Sequence, residues 1–259
     1  MKLRAYVRTW QQIDLTSLAV TADRPAGPEL YQQFYVKLDQ GCGAPDQHWR
    51  TTKRTLGEGI AHHVFEQWES CFHRRPRILA LAVGVGAAEG VWLEHGYDVT
   101  LHDCQETSLR SLREQFPEAP IIIADLRSIM IPTKFDIIVI LASEYMLSNR
   151  ELADFLEAAK LGLSDDGCLV LHSVSILSMV RLAKECVKRW RHSRTGRIFW
   201  GWFRTPAELA RSAIRAGFRV ATSYRVGVNG SNTVLKKRSR LLRTQPTLND
   251  ESVLLVLRP

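Results

Sequence analysis

The chain has 259 residues, 45% of them hydrophobic, enough for one large domain with its own core or for one domain with an appendage. No run reaches the ~18 apolar residues that span a bilayer. Lys2, Arg4 and Arg8 near the start are followed by no apolar stretch, so no secretory signal is expected and the cytoplasm is the expected compartment. A formal net charge of +8 favours anionic partners, and five scattered cysteines with no CxxC pair argue against a zinc site or a disulfide framework.

Residues 1–75 read as a helical N-terminal cap. Turn formers cluster at 23–28 and 41–46, and between them Leu30, Tyr31, Phe34, Tyr35 and Leu38 recur at helical spacing, predicting a helix over 28–40. Ile60, Val64, Phe65 and Trp68 share one face of a second predicted helix over 56–73. From Pro76 the rhythm changes. The continuous apolar run 77–83 reads as a strand buried on both faces, followed by Gly84, Gly86 and a helix to about residue 95. Strands are expected at 98–102, 120–124, 135–141 and 168–172, with helices at 108–115 and 149–163 between them. Such alternation means a parallel sheet with helices on both faces. At the end of the chain a helix over 206–216 stops at Gly217, and strands at 218–226 and 252–257, joined without a helix, pair as an antiparallel hairpin. The segment 227–251 between them reads as a polar, basic loop.

Gly84-Val85-Gly86 lies between the first buried strand and the next helix, where glycine permits a sharp turn and a close approach of ligand to backbone. Asp103 ends the second strand nineteen residues after Gly84, the separation at which an acid can take both hydroxyls of an adenosine ribose. Asp125 ends the third strand on the same sheet edge and can accept from an adenine amino group, whereas Asp136, at the opposite edge, reads as structural. A dinucleotide-binding GxGxxG would need glycine at position 89, which is Glu89.

The stretch 77–172 resembles the core of class I S-adenosylmethionine (SAM) dependent methyltransferases. LAVGVGAAEG looks like the family's glycine-rich first motif, VTLHDC its second-strand acid motif and IIIADLRSI its third-strand acid motif. KFDIIVILASEYML is similar to the fourth-strand motif and LSDDGCLVLHS to the turn into strand five. WFRTPAELARSAIRAGF and SVLLVLRP look like the approach to strand six and the antiparallel strand seven. The resemblance implies a doubly wound, Rossmann-like, seven-stranded α/β sheet with an antiparallel last strand, spanning 76–259. It implies SAM as cofactor: Val83, Gly84 and Gly86 beside its methionine and ribose, Asp103 on the ribose hydroxyls, Asp125 and Leu126 at adenine, and Ala142 and Ser143 bordering the methionine and the transferred methyl. Three departures stand out, one being that the family's frequent His after strand four is Tyr145 here, preceded by Glu144. The family's acid two residues before the first glycine, which helps fix the glycine loop or the SAM amino group, is Ala82 here, and a usual third glycine is Ala88.

Methyl transfer needs an aligned acceptor and, for a hydroxyl, removal of a proton. Glu144, Tyr145 and His172 are the candidate bases, with His62 and His63 as weaker ones. No metal-ligand cluster is evident, so a metal-independent reaction is expected. The segment 174–204 reads as an acceptor-binding insertion. It carries an apolar stripe from Ile176, Met179, Val180, Ala183 and Val187 and a set of basic residues, and Trp190, Phe199, Trp200, Trp202 and Phe203 follow. Basic and aromatic residues together suit an anionic small-molecule, glycan or lipid-linked acceptor methylated at oxygen, with a peripheral contact to a membrane surface. Two alternatives are an RNA methyltransferase, disfavoured because no RNA-binding module is added, and a degenerate, non-catalytic SAM-fold binding protein, suggested by Ala82.

Overall fold

The computed structural model describes residues 3–18, 27–43, 47–173, 183–184, 186–188, 190–191, 197–229, 232–237 and 252–259. The apolar runs read from the sequence are the strands of one central sheet: β4 (Arg77–Leu81), β5 (Asp98–Asp103), β6 (Ile121–Ile123), β7 (Phe135–Leu141) and β8 (Leu163–Ser173). All seven residues of β7 are buried, as a strand covered by helices on both faces requires. These five strands are parallel, in the order β8-β7-β4-β5-β6. The chain therefore leaves β4 toward one side and later returns to build the other, and the carboxyl ends of β4 and β7 part at this switch point to leave a crevice.

The helices between the strands are closed by local chemistry. Ser148 and Glu151 form a reciprocal capping box at the start of α6 (Asn149–Gly162), and Thr205 and Glu208 do the same for α7 (Pro206–Arg215). Beyond β8 the sheet turns antiparallel: β12 (Ser252–Arg258) pairs with β8, and β10 (Arg219–Asn229) pairs with β12. The expected seven strands are all present, but the sheet has eight. β11 (Asn232–Lys237) forms an antiparallel hairpin with β10 where a loop was expected, while 230–231 and 238–251 lie outside the described residues. Its alternation places Leu235 inside against the core, with Val234 and Lys236 exposed.

The N-terminal segment is mixed rather than purely helical. The expected first helix is α1 (Pro28–Asp39), started by a proline in its first turn. The second, α2 (Gln47–Ile60), starts nine residues earlier than the sequence reading and runs through a single π turn (Ala61–Phe65) into α3 (Glu66–Phe72). Strand β1 (Leu3–Val7) precedes them and pairs antiparallel with β9 (Ile198–Phe203), beside a short β2 (Thr9–Trp10) and β3 (Ile13–Asp14) ribbon. The aromatics expected on a basic insertion are therefore divided. Phe199 and Trp200 are buried in β9, whereas Val187 and Trp190, on the described part of the preceding helical stretch, are 48% and 65% exposed. Ile176, Met179 and Val180 of the expected stripe lie outside the described residues.

Two contacts seat α2 on the sheet. Trp92 Nε1, in α4 (Glu89–Glu94), donates to the Gly57 carbonyl at 2.9 Å. A Cβ at Gly57 would lie 2.6 Å from the Ala88 carbonyl oxygen, so only glycine allows α2 to approach the start of α4 this closely. On its other side Thr233 of β11 bonds through its N–H to Thr55 Oγ1 (2.9 Å) and through its hydroxyl to the Thr52 carbonyl (2.8 Å).

Candidate active site

The loop after β4 is turned by residues in left-handed backbone. Gly84 and Gly86 have φ of 62° and 68°, and Ala82 has 51°. The conformation is free for glycine and costs alanine roughly 1 kcal/mol. The two glycines do different work. Gly84 faces a cavity and donates its N–H to Asp103 Oδ2 at 2.8 Å. Gly86 does not border the cavity; a Cβ there would lie 2.0 Å from Leu112 Cδ1, so it permits close packing of the loop against α5 (Arg110–Gln115). The Gln105 N–H donates to the other Asp103 oxygen at 3.1 Å. A carboxylate has about four lone-pair sites, so each Asp103 oxygen keeps capacity for a further donor such as a ribose hydroxyl.

Along the same edge, Asp125 caps a short 3₁₀ turn (Leu126–Ser128) by accepting from the Arg127 N–H at 2.9 Å, and the Arg127 guanidinium lies 3.7 Å from its second oxygen. Leu126 is buried behind it. After β7, Ala142 also adopts positive φ (53°), its N–H bonded to the His172 carbonyl at 2.9 Å, and Ser143 Oγ donates to the Leu141 carbonyl at 3.3 Å.

These elements form the floor of a cavity of about 430 Å³, within the ~300–1,000 Å³ typical of small-molecule pockets. Seven of the eight residues expected at a cofactor border it: Val83, Gly84, Asp103, Asp125, Leu126, Ala142 and Ser143. The roof comes from elsewhere in the chain. Trp10 stacks on Phe34 at 4.2 Å between ring centroids and meets Trp200 edge-on at 5.2 Å, and Tyr31 meets Trp200 at 5.7 Å. Trp200 Nε1 donates to the Tyr145 hydroxyl at 2.9 Å. Lys53 of α2, Arg127 and Lys188 add positive charge to the walls, and Glu89 adds a carboxylate.

The candidate bases separate in space. Tyr145 borders the cavity, but burial pushes its phenol up to about 12, so it is protonated at neutral pH. Glu144 is buried behind the wall; one oxygen accepts from Ser173 Oγ, the other has no hydrogen-bond partner among the described residues, and burial raises the carboxyl to about 7. His172 is also buried away from the cavity, its Nε2 lying 2.7 Å from Ser252 Oγ. His62 pairs with Glu66 on the exposed side of the π turn, and His63 packs on Tyr224, so neither reaches the site. Asp136 is structural: Arg74 grips both oxygens at 2.7 and 2.8 Å, and the Arg77 N–H and Ser164 hydroxyl complete its shell, holding the carboxyl below its usual range against the opposing effect of burial. Arg204, one of the basic residues of 174–204, is buried and spends its guanidinium on the Glu144 carbonyl and Asn149.

Sequence reasoning missed Lys53, Glu89 and most of the roof. Trp49, Lys53, Leu56 and Ile60 share one helical face, a periodicity that extends α2 backward and would have brought Lys53 into view.

No family model matches the sequence, and no curated protein matches it. Solved structures match the fold. A SAM-dependent methyltransferase from Thermotoga maritima aligns over 88% of this chain and 98% of its own, at 12% identity with a TM-score of 0.59. A magnesium protoporphyrin IX methyltransferase from Synechocystis with bound S-adenosylhomocysteine aligns over 88% and 94%, at 13% identity and 0.57. A glycopeptide N-methyltransferase complexed with SAM aligns over 80% and 95%, at 16% identity and 0.55. The chain has the class I SAM-dependent methyltransferase fold.

Proposed function

We propose that this chain is a SAM-dependent methyltransferase acting on an anionic small-molecule, glycan or lipid-linked acceptor at oxygen, in the cytoplasm. The observation that carries the reading is that one cavity joins Gly84, Asp103, Asp125 and Ala142 to an aromatic roof. Bound there, SAM supplies a methyl already activated on a sulfonium. Asp103 is positioned to accept from the ribose hydroxyls with the lone pairs its backbone contacts leave open, and Asp125 with Leu126 to meet the adenine edge. Val83 and Gly84 line the ribose and methionine, and Ala142 and Ser143 border the methionine and its methyl.

The remaining work of the protein is to exclude water, orient the acceptor and accept a proton. The roof of Trp10, Tyr31, Phe34 and Trp200 offers rings for stacking, and Lys188 and Arg127 offer positive charge to a phosphate or carboxylate. Tyr145, protonated and on the wall, suits hydrogen-bond donation to the acceptor. Exposed Val187 and Trp190 beside basic residues support contact with a membrane surface.

The test is to incubate the protein with SAM and pools of small metabolites, uronates and phosphorylated glycans, following S-adenosylhomocysteine release by mass spectrometry. Release that depends on a pool and gives a product 14 mass units heavier supports the reading. SAM binding with no turnover on any pool favours the non-catalytic alternative that Ala82 suggests.

A further inference from the structure

The cavity holds two oppositely charged side chains to which no role has yet been given. Glu89 is the first residue of α4, five positions past Gly84, and is 4% exposed. Lys53 lines the same cavity from α2, with its ammonium 5.9 Å from the centre of the Trp49 ring. Both border the same space, and each is the other's leading charged neighbour, yet among the described residues they form no ion pair. The Trp92–Gly57 hydrogen bond and the bare face of Gly57 fix the two parent helices against each other, so the separation between the charges is built in.

A singly charged ligand entering between them would leave either the buried Glu89 or the half-buried Lys53 unpaired, which is costly. A ligand end that carries both signs on adjacent atoms satisfies both. The α-amino-acid end of SAM is such a group, and the residue expected to meet its ammonium, Ala82, has no carboxylate. Resting on the cofactor reading above, we propose that Lys53 and Glu89 clamp the amino-acid end of SAM, Lys53 taking the carboxylate and Glu89 the ammonium, so that Glu89 replaces the acid missing at Ala82. Burial pushes the Glu89 carboxyl up to about 7 and the Lys53 ammonium down, as expected for charges held ready without a partner of full strength.

The test compares two ligands that share adenine, ribose and sulfur: S-adenosylhomocysteine, which has the amino-acid end, and 5′-methylthioadenosine, which lacks it. Both are titrated calorimetrically into the full chain and into the near-isosteric variants Lys53→Met and Glu89→Gln. Each variant is expected to lose about ten- to hundredfold in affinity for S-adenosylhomocysteine, the range of a charge-assisted hydrogen bond. Affinity for 5′-methylthioadenosine stays within about threefold, which also shows that the variants fold and keep the nucleoside floor. Unchanged S-adenosylhomocysteine affinity in both variants, or equal loss for both ligands, overturns the clamp while leaving the cofactor reading intact. Failure of the folded wild type to bind either ligand overturns the cofactor reading itself, and the clamp with it.

Discussion

The floor and the roof of the cavity are built on different principles. The floor is backbone: positive φ at Ala82, Gly84 and Ala142, N–H groups turned onto Asp103, and a capped 3₁₀ turn at Asp125, all at the carboxyl ends of parallel strands. The roof is side chain: Trp10, Tyr31, Phe34, Tyr145 and Trp200, drawn from β2, α1, the turn after β7 and β9. A backbone floor tolerates changes of side chain but not of φ, and it can serve any acceptor chemistry. An aromatic roof can be recut by single substitutions, so under the proposed function acceptor choice is assigned to it.

The contrast breaks most sharply at Gly86. Gly86→Val forces a β-branched side chain into positive φ and into Leu112, and a loss of about 2–4 kcal/mol is expected, read as a lowered denaturant midpoint. A neutral outcome would mean that the loop can relax and that the floor is not a rigid backbone device. In the roof, Trp200→Ala removes a buried indole that contacts Trp10, Tyr31 and Tyr145, at a cost of roughly 3 kcal/mol. If floor and roof are independent, acceptor turnover falls while S-adenosylhomocysteine affinity stays within about threefold; a parallel fall in cofactor affinity would show the two surfaces to be one unit.

The smallest effect tests what lies behind the wall. Burial raises the folded-state carboxyl of Glu144 from 4.5 to about 7, so the protonated form is the one the fold prefers. Its contribution to stability is therefore complete below about pH 4.5 and fades as pH climbs through about 7, by at most about 3 kcal/mol. Glu89 contributes in the same direction. Glu144→Gln should flatten, without abolishing, the decline in melting temperature between pH 5 and 8. An unchanged slope would show that Glu144 is ionised in the folded protein throughout that range.

The same division explains what could be read in advance. The strands from Arg77 to Leu171 follow from uninterrupted apolar runs and their glycine and acid punctuation, because a strand buried on both faces leaves a local signature. Gly84, Asp103 and Asp125 were legible for the same reason, each being a local consequence of a strand end. The roof leaves none: Trp10 and Trp200 meet across 190 residues, and β1 is recognisable as a strand only through its pairing with β9. Strand β11 hides in a polar segment because only Leu235 among its apolar residues is buried. In the sequence Glu89 stands out only as an absent glycine, and its place beside Lys53 in the cavity depends on Gly57, which reveals nothing until α2 is laid against α4.

The most direct test of the account is calorimetric titration of the wild-type chain with S-adenosylhomocysteine, alongside Asp103→Ala. Micromolar binding by the wild type and a loss of about a hundredfold or more in the variant are expected, as two charge-assisted hydrogen bonds disappear from the floor. A folded wild type that does not bind, or an Asp103→Ala variant that binds as tightly as the wild type, would contradict it.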